Sequence, residues 1–172
     1  MIEVSVARLG LDSATNSYVL VLQERGGRRV LPIWIGQPEA ESIVMQMNQV
    51  ERERPLTHDL CKTIVTGLGA TLARVDITKV EKNTYYAELQ LVRGDTRVQI
   101  DARPSDSVAI ALRLNAPIFV NEALLTTPGD EDDEGNGGGD VVPPPSAESS
   151  DVERLKAYLE KLRPEDFGKF RP

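Results

Sequence analysis

Histidine and cysteine each occur once in this 172-residue chain, at His58 and Cys61. A single cysteine cannot form an intramolecular disulfide framework. One residue of each type also rules out zinc sites built from thiolates and imidazoles. Any metal would have to be a hard cation held by oxygens. Aromatic residues make up only 5% of the chain, so its core must be built from Val, Ile, Leu and Ala. No apolar run approaches the roughly 18 residues of a membrane-crossing helix. Met1 to Val6 alternates like a strand and lacks the basic-then-apolar layout of an export leader. The expectation is therefore a cytoplasmic protein with no membrane association. There is no Walker loop, no Gly-x-Gly-x-x-Gly and no hydrolase elbow.

The charge is unevenly placed. The net charge is −7. Residues 1–128 hold 14 Lys and Arg against 15 Asp and Glu, whereas residues 129–172 hold 6 against 12. The first part is nearly neutral and the second carries the acidity. The low pI therefore does not exclude a nucleic-acid ligand, and the first part offers no basic stripe for one. Asp130 to Glu134 are all acidic, and Gly137–Gly139, Pro143–Pro145 and a Ser-rich stretch follow. Such a stretch cannot bury enough apolar surface to order itself. The reading is a domain over 1–127, a disordered acidic linker over 128–150, and a short helix within 151–172. In that helix Val152, Leu155, Leu159 and Leu162 share a face.

Hydrophobic periodicity divides the domain into strands and three helices. Residues 2–8 alternate as a strand. Residues 17–24 and 29–35 form a hairpin across Gly26-Gly27. Gly36 and Pro38 open a helix whose stripe is Ala40, Ile43, Val44, Met47 and Val50. A second helix begins with Thr57 as N-cap, has an inward stripe of Leu60, Cys61, Ile64, Val65 and Leu68, and ends at Gly69. Residues 71–80, 84–93 and 96–101 are three strands. Ser105 caps a third helix, 106–114, which is apolar nearly all round and so the most buried. Residues 117–120 are a short strand, and Asn121 caps a last turn. The fold class is α/β, in the α+β sense of a mixed sheet with about three packed helices. Arg54-Pro55-Leu56-Thr57-His58-Asp59 and Arg103-Pro104-Ser105-Asp106 set Arg-Pro, a hydroxyl and an Asp before an apolar helix. Each helix then feeds a strand, which hints at a duplicated α–β unit.

Several residues could carry chemistry. Cys61 reads as a core thiol, because it sits among the apolar residues of its helix. His58 could act as a general base or hold phosphate as imidazolium, or it could fix the preceding loop by hydrogen bonding. Asp59 and Asp106 stand in first helical turns, where the macrodipole favours a carboxylate. Asp101, Asp106 and Arg103 could hold Mg²⁺ or Mn²⁺ and a phosphate. They could equally form a loop-locking ion pair. Glu39 and Glu41 point away from each other and are not a paired site.

Three blocks carry a family resemblance: Leu31-Pro32-Ile33-Trp34-Ile35-Gly36 with Glu39-Ala40; Arg54 to Leu60; and Asp101-Ala102-Arg103-Pro104-Ser105-Asp106-Ser107 running to Arg113. In order and spacing the chain resembles the bifunctional nuclease domain family over about residues 1–127. The resemblance implies a single self-associating α/β domain and a nuclease acting on both DNA and RNA. Mapping the blocks onto this chain nominates Arg54, His58, Asp59, Arg103 and Ser105 as catalytic, with Asp101 and Asp106 as ligands of Mg²⁺ or Mn²⁺. The carboxylates would hold the ion, the arginines would offset phosphate charge and His58 would serve as acid or base. A second reading is a non-catalytic module whose Arg-Pro corners bind a small anion or a protein partner.

Overall fold

The computed structural model describes residues 1–12 and 17–128. The elements run β1 (Ile2–Asp12), β2 (Ser17–Glu24), β3 (Val30–Ile35), α1 (Gln37–Met47), α2 (Thr57–Gly67), β4 (Thr71–Glu81), β5 (Thr84–Arg93), β6 (Thr96–Ala102), α3 (Pro104–Leu114) and β7 (Ile118–Val120). A 3-10 turn, Glu122–Leu124, follows, with Asn121 as its N-cap. The linker expected over 128–150 lies outside the described residues from 129 on, as does the helix expected over 151–172.

One mixed seven-stranded sheet, in the order β3-β2-β1-β7-β4-β5-β6, forms the body of the domain. All neighbours pair antiparallel except β4 and β7, which are parallel. The turns follow from residues that tolerate positive φ. Gly26 (φ +79°) serves the β2–β3 hairpin, and Lys82 and Asn83 (φ +48° and +60°) join β4 to β5. β1 runs beyond the 2–8 that alternation predicts and passes through Gly10. It continues to Asp12 through an irregularity between Val6 and Arg8 that keeps it paired with β2.

The helices layer onto one face of the sheet. α3 packs between α1 and α2 and against β4 and β5. It is the most buried helix, as its composition predicts, with Val108, Ala109 and Ala111 fully enclosed. Leu20, Leu22, Ile43, Val75, Ile77, Ala87 and Val120 complete the aliphatic core between sheet and helices. The hinted duplication has a structural counterpart. α2 and α3 each end in a left-handed residue, Gly69 (φ +69°) and Asn115 (φ +53°). The next amide then reaches back five residues, from Ala70 to Val65 and from Ala116 to Ala111, both at 3.0 Å. Each helix then feeds one of the two parallel strands, β4 or β7.

Three local expectations are corrected. α1 buries Ala40, Ile43 and Val44, but it ends at Met47, and Met47 and Val50 are exposed. α2 is rotated about its axis from its predicted orientation. Leu60, Ile64 and Leu68 are each more than half exposed, Cys61 and Val65 are half-buried with Cys61 against the core, and the residue of α2 that is buried is His58. The hydroxyls do not cap. The N-caps are Leu56 and Arg103, which puts Thr57 inside α2 and Ser105 inside α3. At α2 the carboxylate of Asp59 does the capping, accepting the Leu56 amide at 2.9 Å.

Candidate functional site

The rotation of α2 follows from what lies beneath it. Arg113, on the otherwise apolar α3, is 3% exposed. A buried guanidinium must have its donors satisfied. Arg113 sends Nε to Asp59 Oδ1 (2.6 Å), Nη1 to the Ala109 carbonyl (2.9 Å), and Nη2 to the Ser42 carbonyl and hydroxyl (3.2 and 3.0 Å). α2 therefore presents its polar side to α3, with Asp59 on Arg113 and His58 beside Ser42. The second oxygen of Asp59 accepts from Arg52 Nη1 at 2.7 Å as well as from the Leu56 amide. Burial raises the Asp59 carboxyl. The Arg113 hydrogen bond, the Leu56 amide and the charges of Arg113 and Arg52 outweigh it and hold the group at about 2. Arg52 keeps Nε and Nη2 without a partner.

The network continues to the surface. Ser42 Oγ lies 2.8 Å from His58 Nδ1, and His58 Nε2 lies 3.0 Å from Asp106 Oδ1. Because Ser42 Oγ already accepts from Arg113, its own proton is free for Nδ1, which leaves Nε2–H to donate to Asp106. Asp106 Oδ2 accepts from Arg103 Nε at 2.7 Å, and Arg103 Nη2 reaches Glu39 Oε1 at 2.7 Å. Burial raises the Asp106 carboxyl, but the hydrogen bonds from Arg103 and His58 bring it below the usual carboxylate value. The chain of contacts thus runs Glu39, Arg103, Asp106, His58, Ser42, Arg113, Asp59, Arg52.

Glu39 sits in the first turn of α1, His58 in that of α2 and Asp106 in that of α3. Three helix N-termini therefore point at one place, and each adds a partial positive charge of about half a unit. The three carboxylates are balanced by three guanidiniums, which leaves the field of the helix ends uncompensated. The Arg103 side chain is 66% exposed, and its Nη1 is not used by either carboxylate.

The two Arg-Pro corners thus meet, bringing His58, Asp59, Arg103 and Asp106 into one network. The other nominated residues are placed differently. Arg54 is exposed and makes none of these hydrogen bonds; Arg52, two residues earlier, does. Ser105 is buried in the first turn of α3. Asp101 is on the other side of the sheet from Asp106. Ile100 and Ala102 pair with the core residues Leu89 and Ala87, so by strand alternation Asp101 faces away from the helices, beside Glu88 and in line with Asp76. Among the described residues no three His, Cys, Asp or Glu side chains are grouped to hold an ion. Reading the sequence missed Arg113, Ser42, Arg52 and the role of Glu39. One signal was present: Arg113 follows Asp106 by seven residues, the same face two turns later, as the one charge in that stretch of an apolar helix.

The model of the bifunctional nuclease domain family matches residues 20–132. An uncharacterized protein of Mycobacterium tuberculosis is 41% identical over 165 residues, covering 96% of this chain and 97% of its own. That match runs well past Pro128. Bifunctional nuclease 2 of Arabidopsis thaliana is 32% identical over 119 residues, 67% of this chain and 36% of its own length. Bifunctional nuclease 1 of Oryza sativa subsp. indica is 26% identical over 121 residues, 69% of this chain and 37% of its own. The chain therefore matches about a third of each plant protein.

Proposed function

This chain belongs to the bifunctional nuclease domain family, and from that premise we propose that the convergent corner binds and hydrolyses phosphodiesters of DNA and RNA with little sequence preference. One observation carries the reading: three helix N-termini and a two-thirds-exposed guanidinium meet at one point. A phosphate oxygen takes the open Nη1 of Arg103 and the free amides at the start of α3. Contacts to phosphate carry no base information, so both nucleic acids and many sequences fit. Asp106, ionised and fixed between His58 and Arg103, keeps lone pairs with which to orient an attacking water. Arg103 offsets the charge that develops on the phosphoryl oxygens. His58 acts as a positioning residue, since both its ring nitrogens are already engaged.

A divalent ion does not fit the corner as built. Asp59 and Asp106 are neutralised by guanidiniums, and Asp101 lies across the sheet. No helix among the described residues is long and apolar enough to cross a membrane. The cytoplasmic location stays part of the proposal. So does self-association, which the β6 edge supports: Thr96 to Asp101 is exposed along its length, Val98 and Ile100 included.

The same saturation favours a second reading, a module that binds an anion and does not cut, because no carboxylate at the corner is unpaired. The test incubates the full chain with labelled single-stranded DNA and RNA, with Mg²⁺, Mn²⁺ or chelator, and follows both anisotropy and cleavage. Binding lost in Arg103→Ala, and cleavage lost in Asp106→Asn with binding kept, supports hydrolysis at the corner. Binding without cleavage in the unaltered chain gives the second reading. Cleavage indifferent to both substitutions removes the corner from the function.

A further inference from the structure

The two edges of the sheet differ. On β3, Pro32 lacks an amide, and Val30 is bridged to Thr126 by hydrogen bonds of 2.8 and 2.9 Å. Both devices close an edge to further strands. β6 has neither. Its seven residues include no proline and no glycine, and its register with β5 is unbroken. Among the described residues no strand pairs with its outer side. Val98 and Ile100 pair with Leu91 and Leu89 and so lie on the helix side of the sheet, yet they are 45% and 40% exposed.

Hairpin chemistry tells which groups of β6 are open. Gly94-Asp95 is a two-residue turn, closed by the pair Arg93–Thr96. Such a closing pair is hydrogen-bonded, and bonded and non-bonded pairs then alternate along the strands. Val98 and Ile100 therefore bond to β5, while Arg97, Gln99 and Asp101 turn their amides and carbonyls outward.

A second β6, run antiparallel about a two-fold axis at Gln99, meets these groups in kind. Arg97 then stands opposite Asp101 of the partner subunit, and Val98 opposite Ile100 of the partner subunit. We infer that β6 pairs with β6 of a second copy in this register, joining two sheets through about six main-chain hydrogen bonds. The charges select the register. Parallel in-register pairing sets Arg97 on Arg97 and Asp101 on Asp101. An antiparallel slip of two residues sets Asp101 against Asp95, or Arg97 against Arg103. Like charges directly opposite are destabilising. The axis is normal to the sheet, so both helix layers lie on the same side, with the two Arg103 residues about 27 Å apart. The inference gives the self-association proposed above its interface and does not depend on the chemistry of the corner.

The test uses the full chain with Cys61→Ala, carrying Gln99→Cys or, as control, Thr96→Cys. Across the axis the Gln99 Cα atoms stand about 5.5 Å apart, within disulfide reach, and those of Thr96 about 20 Å apart. One strand pair is a small contact, so the protein is held at tens of micromolar. Diamide should cross-link Gln99→Cys into a covalent dimer at least about tenfold faster than Thr96→Cys. In sedimentation, Asp101→Arg should weaken the dimer about tenfold, and Arg97→Asp added to it should restore the original Kd, both at an unchanged far-ultraviolet spectrum. A monomer at this concentration overturns the interface and self-association together. A dimer that cross-links equally at the two positions, or whose Kd ignores the charge reversals, keeps self-association and overturns the pairing of β6.

Discussion

Replacing Asp59 by alanine should be among the costliest single changes in the domain. Asp59 accepts from Arg113 at 2.6 Å, from Arg52 at 2.7 Å and from the Leu56 amide at 2.9 Å. The Arg113 side chain is 1% exposed. The substitution leaves a buried guanidinium with its Nε unpartnered and its charge uncompensated. Breaking one side of such a pair costs about 3–5 kcal/mol. It also uncaps α2, which adds about 1 kcal/mol. Against a typical stability of about 5–15 kcal/mol, a loss near 5 removes a large share. With a slope of about 2 kcal/mol per molar urea, the unfolding midpoint should fall by about 2.5 M. The assay is urea denaturation followed by circular dichroism. Lys79→Ala serves as control, because its pair with Glu81 is exposed on both sides. A drop below about 1 kcal/mol for Asp59→Ala, comparable to an exposed pair, would refute the claim that Arg113 depends on this carboxylate.

Three further outcomes follow from the same structure. Asp59 is held at about 2, below its ordinary 3.8. A depressed carboxylate stabilises the fold above its unfolded value and loses that contribution as pH falls through the folded one. The effect is worth about 2 kcal/mol and should disappear mainly between pH 4 and 2, so the urea midpoint should fall more steeply there in the unaltered chain than in Asp59→Ala. Arg103→Ala removes only contacts of an exposed side chain and should leave the thermal midpoint nearly unchanged. Ile43→Ala should cost about 2–5 kcal/mol, whereas Leu60→Ser on the outer side of α2 should cost about 1 kcal/mol or less, as read by the same urea titration.

How far the sequence reveals this fold depends on what each element packs against. The hairpins and long strands announce themselves through alternation and turn residues such as Gly26 and Lys82-Asn83. α3 is apolar nearly all round and is buried as expected. The paired Arg-Pro corners do point to one place, and His58, Asp59, Arg103 and Asp106 meet there. α2 defeats the pattern because the stripe rule assumes an apolar neighbour. Here the neighbour is Arg113, and a guanidinium in the core selects the side of α2 that carries Asp59 and His58. Periodicity within α2 holds no information about a charge 54 residues away. Asp101 was grouped with Asp106 because five residues separate them. The strand's two-residue alternation then puts Asp101 on the far side of the sheet. Arg52 and Arg54 alternate in a charged connection where nothing local says which one turns toward Asp59.

The most direct test of the phosphodiester corner is the single-turnover rate at which the full chain cleaves a short single-stranded DNA and the matching RNA, compared with the rate of Arg103→Ala. Removing one preorganised donor to a developing phosphoryl charge should slow both substrates by about 10²–10³-fold while the protein stays folded. Equal rates for the two proteins on either substrate would contradict the account.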